Sequence, residues 1–321
     1  MRAIVVNETG GPEVLRHAEE HPDPEPGPGQ VVVEAAAAGV NFIDIYRRSG
    51  VYQQPVPYVP GSEGAGTVIA VGDGVAGVAV GDRVAWHDSP GSYAEQVVVN
   101  ADQVVPVPDG TELTDAAAVM LQGMTAHYLC RSTYEVKEGT VAVVHAAAGG
   151  VGLLLTQVIK NLGGVVIGTT SGGPKAELAE QAGADYVTGY GEFGAVVDRV
   201  TEGRGADVVY DGVGKDTFDA SLAALRPRGL MALFGGSSGQ VPPFDPQRLN
   251  SGGSLFLTRP TLADYTRDRA ELLWRAQDVL GDVASGRLNV RIGLEYALAH
   301  APQAHEDLAA RRTTGKLILI P

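Results

Sequence analysis

The residues with the clearest chemistry form a glycine turn between an apolar segment and a helical one. Residues 140–163 read TVAVVHAAAGGVGLLLTQVIKNLG, with Gly149, Gly150 and Gly152 at the junction. Glycines allow a sharp turn and a close backbone approach to a ligand, and free N–H groups at a helix start attract negative charge. Ala147 stands where the dinucleotide fingerprint has its first Gly. The turn predicts a site for the pyrophosphate of a dinucleotide.

The segment after the next apolar strand indicates which dinucleotide fits. An NAD site places Asp or Glu about 20 residues beyond the glycines, on the ribose 2′-hydroxyl. Residues 168–175 read GTTSGGPK and contain no acid. Ser171 and Lys175 supply the hydrogen-bond donor and the cation that a 2′-phosphate needs. The sequence therefore predicts NADPH, and a solvated Lys175 that only opens a helix is the competing interpretation.

Two different patterns of predicted secondary structure along the chain indicate two domains. The first 120 residues contain short β segments, such as QVVVEAAAAGV and GAGTVIAVG, separated by Gly, Pro and Asp clusters typical of a small barrel or sandwich. From about residue 122, apolar strands alternate with helical segments, which indicates an α/β domain with a doubly wound parallel sheet. SLFLT at 254–258 is a plausible edge strand, and the helical stretch DYTRDRAELLWRAQDVL at 264–280 precedes the final strand KLILIP. This tail is expected to return to the first domain.

Composition excludes several classes of function. The chain has 321 residues, is 44% hydrophobic and carries a net charge of −14, which disfavours nucleic acid as a partner. Its single cysteine, Cys130, excludes a structural zinc site built from four thiolates. No apolar run reaches the roughly 20 residues of a membrane helix, and the first residues lack the apolar block of a signal peptide. A cytoplasmic enzyme without membrane contact is the expectation.

Beyond the glycine turn, ordered motifs along nearly the whole chain resemble the zinc-independent, zeta-crystallin-like quinone oxidoreductase branch of the medium-chain dehydrogenase/reductase superfamily. The motifs are Asn41-Phe-Ile-Asp44-x-Tyr46, Gly61-x-Glu63-x-x-Gly66, Val71-Gly72, Gly81-Asp-Arg-Val84, Gly91-Ser-Tyr93, His145 to Gly152, Val209-Tyr-Asp211-x-Val-Gly214, Phe234-Gly235, Thr258-Arg259-Pro260 and Gly315-Lys316. Zinc-dependent members have a Gly-His-Glu motif and a four-Cys lobe. This chain has Ser62 in place of that His, so the resemblance implies no metal.

The resemblance implies a Rossmann fold over 122–261 and a chaperonin-10-like β-barrel domain formed by 1–121 and 262–321, with the nicotinamide in the cleft between them. It assigns acceptor-binding and catalytic roles to Asn41, Asp44, Tyr46, Tyr52 and Arg259. It places cofactor contacts at Thr125, Ala147, Gly149, Gly150, Val151, Gly152, Thr170, Ser171, Lys175, Tyr190, Phe234, Gly235, Ser237 and Lys316. Close relatives often carry Lys where this chain has Gln122, so that contact is in question. Homodimers that pair edge strands are also implied.

The predicted reaction is reduction of a quinone by hydride from NADPH, with Tyr46, Tyr52 and Asn41 bonding the acceptor oxygen where charge develops. A packing role is as plausible for both tyrosines. Asp44 could orient Tyr46 or be exposed. His145, on a buried strand, is interpreted as a core histidine rather than a catalytic one.

Alternatives are reduction of an α,β-unsaturated carbonyl and a non-catalytic NADPH-binding or RNA-associating protein. Gly235-x-Ser237-x-Gly239 matches the hydrolase pattern, but the following QVPPFDPQ does not favour the helix that a nucleophile elbow needs.

Overall fold

The protein is described by a computed structural model that covers all residues, 1–321. The chain divides into two compact units: unit 1 is Met1–Gln122 with Thr266–Pro321, and unit 2 is Gly123–Tyr265. The expected boundaries, 121/122 and 261/262, lie one and four residues from these divisions. None of the helices combines the length and apolar character that a membrane crossing requires.

The strands are β1 (Ala3–Val5), β2 (Arg16–Ala18), β3 (Gln30–Val40), β4 (Gly64–Val71), β5 (Arg83–Trp86), β6 (Gln96–Asn100), β7 (Val105–Pro106), β8 (Val141–Val144), β9 (Val165–Thr169), β10 (Tyr186–Thr188), β11 (Ala206–Asp211), β12 (Leu225–Leu233), β13 (Phe256–Thr258), β14 (Ile292–Ala297) and β15 (Lys316–Ile320). The α-helices are α1 (Phe42–Arg48), α2 (Leu113–Tyr128), α3 (Gly150–Asn161), α4 (Pro174–Gln181), α5 (Phe193–Thr201), α6 (Phe218–Ala223), α7 (Gln247–Ser251), α8 (Arg269–Ala284) and α9 (Ala301–Ala309). Short 3₁₀ helices span Pro12–Val14, Leu262–Tyr265 and Leu298–His300, and one π-helical turn spans Leu129–Thr133.

Unit 2 is built on a six-stranded sheet in the order β10-β9-β8-β11-β12-β13, with all neighbours parallel. All four residues of β8 and all six of β11 are buried, because a parallel sheet has both faces covered. This strand order is that of the Rossmann fold, and the chain reverses direction across the sheet between β8 and β11. The predicted α/β class, and SLFLT as an edge, are confirmed.

Unit 1 contains a seven-stranded sheet in which β3 pairs with β4, β6 and β15. Its pairings are antiparallel except that between β14 and β15. Two apolar clusters fill this unit, one around Trp86 and one around Tyr93, and both side chains are fully buried. Because β15 pairs with β3, the last strand returns to the N-terminal sheet, as the apolar run KLILIP predicted.

The long helix of the tail begins later than its periodicity indicated. The sequence favoured a helix from about Asp264, whereas α8 starts at Arg269. Asp268 caps it, since its carboxylate accepts a hydrogen bond from the N–H of Glu271 at 2.8 Å. The preceding Leu262–Tyr265 forms a separate 3₁₀ turn.

Candidate functional site

The predicted cofactor residues of unit 2 gather at one edge of its sheet. Parallel strands end at the same edge, so the loops that follow β8, β9, β10, β12 and β13 lie side by side. These loops carry Ala147, Gly149, Thr170, Ser171, Tyr190, Phe234, Gly235, Ser237 and Arg259. Gly150, Val151, Gly152 and Lys175 open the helices beyond two of the loops. Thr125 lies on α2 and is buried.

The glycine turn has the geometry of a close backbone approach. Ala146 adopts a left-handed conformation (φ 52°), and the N–H of Gly149 donates to its carbonyl at 2.8 Å. A Cβ on Gly152 would lie 2.3 Å from the Ala146 oxygen, so only glycine lets α3 pack against the turn. The first helical bond runs from the N–H of Leu153 to the carbonyl of Gly149, so the N–H groups of residues 150–152 have no partner within the helix. The turn therefore fits a pyrophosphate.

The end of β9 presents polar groups and no carboxylate. Thr169 and Thr170 are buried, Ser171 is exposed, and the Thr170 hydroxyl accepts from the N–H of Gly172 at 3.1 Å. Lys175 is half-buried in the first turn of α4. Tyr190, beyond β10, is 37% exposed. This arrangement fits a 2′-phosphate, which needs donors and a cation and is repelled by an acid.

The loops after β11 and β12 approach each other closely. A Cβ on Gly235 would lie 2.5 Å from the Gly212 carbonyl, so these backbones touch. The buried Asp211 carboxylate accepts the N–H groups of Val213 and Gly214 at 2.8 and 2.9 Å. Ser237 lies in this loop, and no helix begins until Gln247. Because the segment after Ser237 is irregular, the hydrolase interpretation lacks its nucleophile elbow.

The predicted acceptor residues of unit 1 cluster at α1. Two of them, Asn41 and Asp44, are buried and form hydrogen bonds within unit 1. Asn41 caps α1, and Asp44 returns a hydrogen bond to the N–H of Asn41 at 2.9 Å. The Asp44 carboxylate also accepts from the hydroxyl of Tyr93 at 3.1 Å, and burial raises its pKa to about 6. Asp44 does not orient Tyr46, one of the options for it, because its bonds run to the helix cap and to Tyr93.

Asn41 belongs to a buried ionic network that the sequence did not predict. The ammonium of Lys316 donates to Glu63, to Asn41 at 2.8 Å and to Gln122 at 2.8 Å. Asn41 donates to Glu63 at 2.9 Å and accepts from Gln122 at 2.7 Å, and Glu63 also receives the N–H of Leu121 at 2.6 Å. Glu63 and Lys316 are 0% and 3% exposed.

This network bears on two sequence-based assignments. Lys316 was expected to contact the cofactor, but all three donors of an ammonium are used by Asn41, Glu63 and Gln122. Asn41 was expected to bond the acceptor oxygen, but its carbonyl and amide are engaged in the same network. It also explains Gln122, because a second cation there would face Lys316, whereas the amide oxygen accepts from it.

Tyr46 and Tyr52 pack against each other, as both interpretations of them allow. Their ring centroids are 5.6 Å apart at 74°, and the N–H of Tyr52 donates to the Tyr46 carbonyl at 3.0 Å. Tyr52 is 45% exposed, in contrast to Asn41 and Asp44. Of the predicted acceptor-binding residues of unit 1, these two tyrosines are the least buried.

A second buried series of hydrogen-bonded side chains, which the sequence also did not predict, links Asp44 to His305. Tyr93 hydroxyl lies 3.1 Å from both the Asp44 carboxylate and Nε2 of His305, and Arg48 approaches Nδ1 of His305 at 3.5 Å. Burial lowers the pKa of His305 to about 3 and raises that of Tyr93. Both groups are therefore neutral. The only sequence signal was Tyr93 within Gly91-Ser-Tyr93.

The buried histidines predict an acid-labile fold. Burial lowers the pKa of His145 to about 4, so the unfolded state, with an ordinary His pKa near 6.5, takes up a proton first as the pH falls. Its contribution is therefore present above pH ~6.5 and lost towards pH ~4, by up to about 3 kcal/mol for unit 2. Urea unfolding resolved by hydrogen exchange in β8 and β9 measures it.

Unit 1 serves as the internal contrast for this pH dependence. The raised pKa of Asp44 has the opposite sign, because its neutral form is favoured in the fold and stability falls as the pH rises from ~4 to ~6. As the pH falls from ~6 to ~4, the stability gained through Asp44 offsets the stability lost through His305. Unit 1 is therefore expected to lose stability mainly below pH ~4. A β8 response that is flat between pH 4 and 6.5 would contradict the prediction.

No group of three or more His, Cys, Asp or Glu side chains is arranged to hold a metal ion. Cys130 is buried, and burial raises its pKa to about 12.

Comparisons with known proteins agree with this architecture. Residues 27–109 match the alcohol dehydrogenase GroES-like domain, and residues 150–267 match the family described as zinc-binding dehydrogenase. The chain is 46% identical to a quinone oxidoreductase of Pseudomonas aeruginosa, covering 97% of both chains. It is 39% identical to a 2-haloacrylate reductase of a Burkholderia species, covering 99% of this chain and 98% of the relative.

Solved structures extend the likeness to three dimensions. A mycobacterial protein complexed with NADPH superimposes with a TM-score of 0.97 at 50% identity, covering 100% of both chains. Matches of this extent show common family membership. The chain belongs to the quinone oxidoreductase family, in the zeta-crystallin-like branch of the medium-chain dehydrogenase/reductase superfamily.

Proposed function

We propose that this protein is an oxidoreductase that uses NADPH to reduce quinones by hydride transfer, without zinc. The observation that carries the proposal is the carboxyl edge of the unit 2 sheet, where a glycine turn adjoins an acid-free loop with Ser171 and Lys175. The likeness to a mycobacterial protein complexed with NADPH supports the same cofactor, and the likeness to quinone oxidoreductases supports the same acceptor class.

The chain's own groups have distinct tasks in this reaction. NADPH supplies the hydride when bound. The N–H groups of residues 150–152 bind the pyrophosphate, and Ser171, Lys175 and Tyr190 surround the 2′-phosphate. Tyr46 and Tyr52 bind the acceptor, and a tyrosine hydroxyl can donate to the oxygen on which negative charge develops. Asn41 and Asp44 act through position, since their bonds fix the start of α1, which carries Tyr46.

Zinc independence is supported by the chain's ligand chemistry. A catalytic zinc needs three protein ligands, usually including His or Cys. The position of the His in zinc-dependent relatives is Ser62, buried beside a Glu63 that is already bonded to Lys316. Chelator-treated protein that retains full activity is the expected result, and recovery of lost activity by added zinc would contradict it.

Reduction of an α,β-unsaturated carbonyl is the second candidate. It is favoured by the likeness to a 2-haloacrylate reductase, whose substrate is named as an unsaturated acid. Oxidation of NADPH against a panel of quinones and enones separates the two candidates. Preference for enones changes the substrate only, whereas NADPH binding with no turnover would favour a binding role.

The NADPH assignment predicts the effect of Lys175→Ala. Loss of a charge-assisted bond to the 2′-phosphate is expected to raise the Kd for NADPH by about 10- to 100-fold and leave the Kd for NADH nearly unchanged. Fluorescence titration of both nucleotides measures the ratio. Lys137→Ala is the matched control, because Lys137 lies in the same unit, is 68% exposed and pairs only with an exposed Glu135. Equal losses for both nucleotides would place Lys175 outside the 2′-phosphate site.

A homodimer formed through β13 and a cytoplasmic location complete the proposal. β13 is an edge strand, and Phe256 on it is 59% exposed, which leaves backbone and apolar groups for a second copy. Sedimentation at micromolar concentration is expected to give a dimer, and Phe256→Lys to give a monomer. A wild-type monomer would remove the homodimer.

A further inference from the structure

His145 forms a buried polar link between neighbouring strands of unit 2. It follows β8, and its Nδ1 lies 2.8 Å from the hydroxyl oxygen of Thr169, the last residue of β9. Its Nε2 lies 2.9 Å from the hydroxyl oxygen of Ser221 on α6. His145 is 1% exposed, and Thr169 and Ser221 are fully buried. Water therefore cannot replace either bond.

The carboxylate at one end of this link sets the direction of each hydrogen bond in it. Asp211, the last residue of β11, accepts from the Ser221 hydroxyl at 3.0 Å. Because Ser221 gives its only hydrogen to Asp211, its oxygen accepts from Nε2–H of His145. Nδ1 then carries no hydrogen and accepts from Thr169. Burial keeps His145 neutral by lowering its pKa to about 4, so one tautomer satisfies the whole chain.

The link crosses the point where the fold reverses direction. β8 has β9 on one side and β11 on the other, and a Rossmann fold binds its dinucleotide at this switch point. On the β9 side, Thr169 directly precedes the loop that carries Ser171 and leads to Lys175 at the start of α4. The ring of Tyr190 also stacks on His145, with centroids 6.0 Å apart at 28°.

We propose that His145 is a positioning residue for NADPH. It holds the end of β9, and with it the 2′-phosphate side of the site, in register with the glycine turn. The inference rests on the proposed function, because it requires NADPH at this edge of the sheet. His145 does not touch the reacting atoms. It acts through Thr169 and through the support it gives to the Tyr190 ring.

Three substitutions separate this role from simple core packing. His145→Phe keeps an aromatic ring against Phe193, whose centroid is 4.8 Å away, but removes both hydrogen bonds. Thr169→Val removes only the bond towards β9. Ser221→Ala removes the two bonds on the β11 side, the one accepted from His145 and the one donated to Asp211. The last two each delete one buried hydroxyl of the same link, so they are matched in kind and burial.

The probe is adenosine 2′,5′-bisphosphate, which carries the 2′-phosphate and lacks the nicotinamide. Calorimetric titration of the full chain is expected to give Kd values raised by about tenfold or more in His145→Phe and Thr169→Val, and changed less than about twofold in Ser221→Ala. Thermal unfolding measured on each variant shows the loss of stability, which is expected to be at least as large in Ser221→Ala as in Thr169→Val, because the Ser221 hydroxyl makes two hydrogen bonds.

The outcomes distinguish this inference from the proposal on which it rests. Equal changes of Kd in Thr169→Val and Ser221→Ala, or wild-type affinity in a folded His145→Phe, would overturn the positioning role alone. If His145→Phe does not fold, the other two variants decide. A wild-type protein that does not bind the bisphosphate would overturn the NADPH assignment itself.

Discussion

Replacing Lys316 with methionine is expected to destabilise unit 1 by about 3–5 kcal/mol, because it leaves a buried carboxylate without its cation. Glu63 is fully buried, and its carboxylate accepts a hydrogen bond from the Lys316 ammonium. Methionine fills a similar volume, so the loss is electrostatic rather than a cavity. Asn41 and Gln122 also lose a donor, which adds the desolvation of two amide oxygens.

Tryptophan fluorescence measures this loss in the intact chain. The sequence has two tryptophans, and both of them, Trp86 and Trp274, lie in unit 1. Urea unfolding followed at their emission therefore reports unit 1, whereas a single global free energy would not be defined for a two-unit protein.

Two further variants test the cause. Glu63→Gln/Lys316→Met removes both charges and is expected to be more stable than Lys316→Met alone, because no unpaired charge remains. Arg312→Met breaks an ion pair with Asp307 in which the Arg312 side chain is 61% exposed, and is expected to lose less than about 1 kcal/mol. A Lys316→Met protein as stable as Arg312→Met would contradict the prediction, because it would mean that the ion pair of Lys316 with Glu63 adds no stability to the fold.

The parts of this molecule that sequence predicts best are those fixed by local pattern. The strand–turn–helix at residues 140–163 could be predicted because its strand, glycines and helical face are adjacent in the chain. The grouping of the loops after these strands could also be predicted, because the carboxyl ends of parallel strands lie at one edge of the sheet whatever the strand order is. Arg259 and Tyr190 needed the family resemblance as well, because neither residue stands in a motif with its own chemistry.

The internal networks could not be predicted, because their members are far apart in the chain. Lys316 and Glu63 are 253 residues apart, and Tyr93 and His305 are 212 apart. A motif marks a residue as important without saying which partner its side chain meets. Lys316 was therefore assigned to the cofactor and Asn41 to the acceptor, and the hydrogen bonds that both side chains make within unit 1 had no signal in the sequence.

Gly152→Ala is expected to lower the affinity for NADPH by at least about tenfold and to destabilise unit 2 by about 1–3 kcal/mol. Its new Cβ would lie 2.3 Å from the Ala146 oxygen and 2.8 Å from the Ala147 Cα, and both are backbone atoms. They cannot move aside like a side chain, so the start of α3 must shift away from the turn. The N–H groups that bind the pyrophosphate move with it.

Gly194→Ala is the matched control, because it also replaces a glycine in the first turn of a unit 2 helix. Gly194 lies on α5, and a Cβ there would meet nothing within 4 Å. Alanine favours a helix over glycine by up to about 1 kcal/mol, so this variant is expected to be neutral or stabilising and to bind NADPH normally. Both variants gain the same helix propensity, so their difference isolates the contact with the turn. Nucleotide titration together with urea unfolding resolved by hydrogen exchange in β8 and α3 measures it, and equal behaviour would mean that the turn tolerates a side chain at position 152.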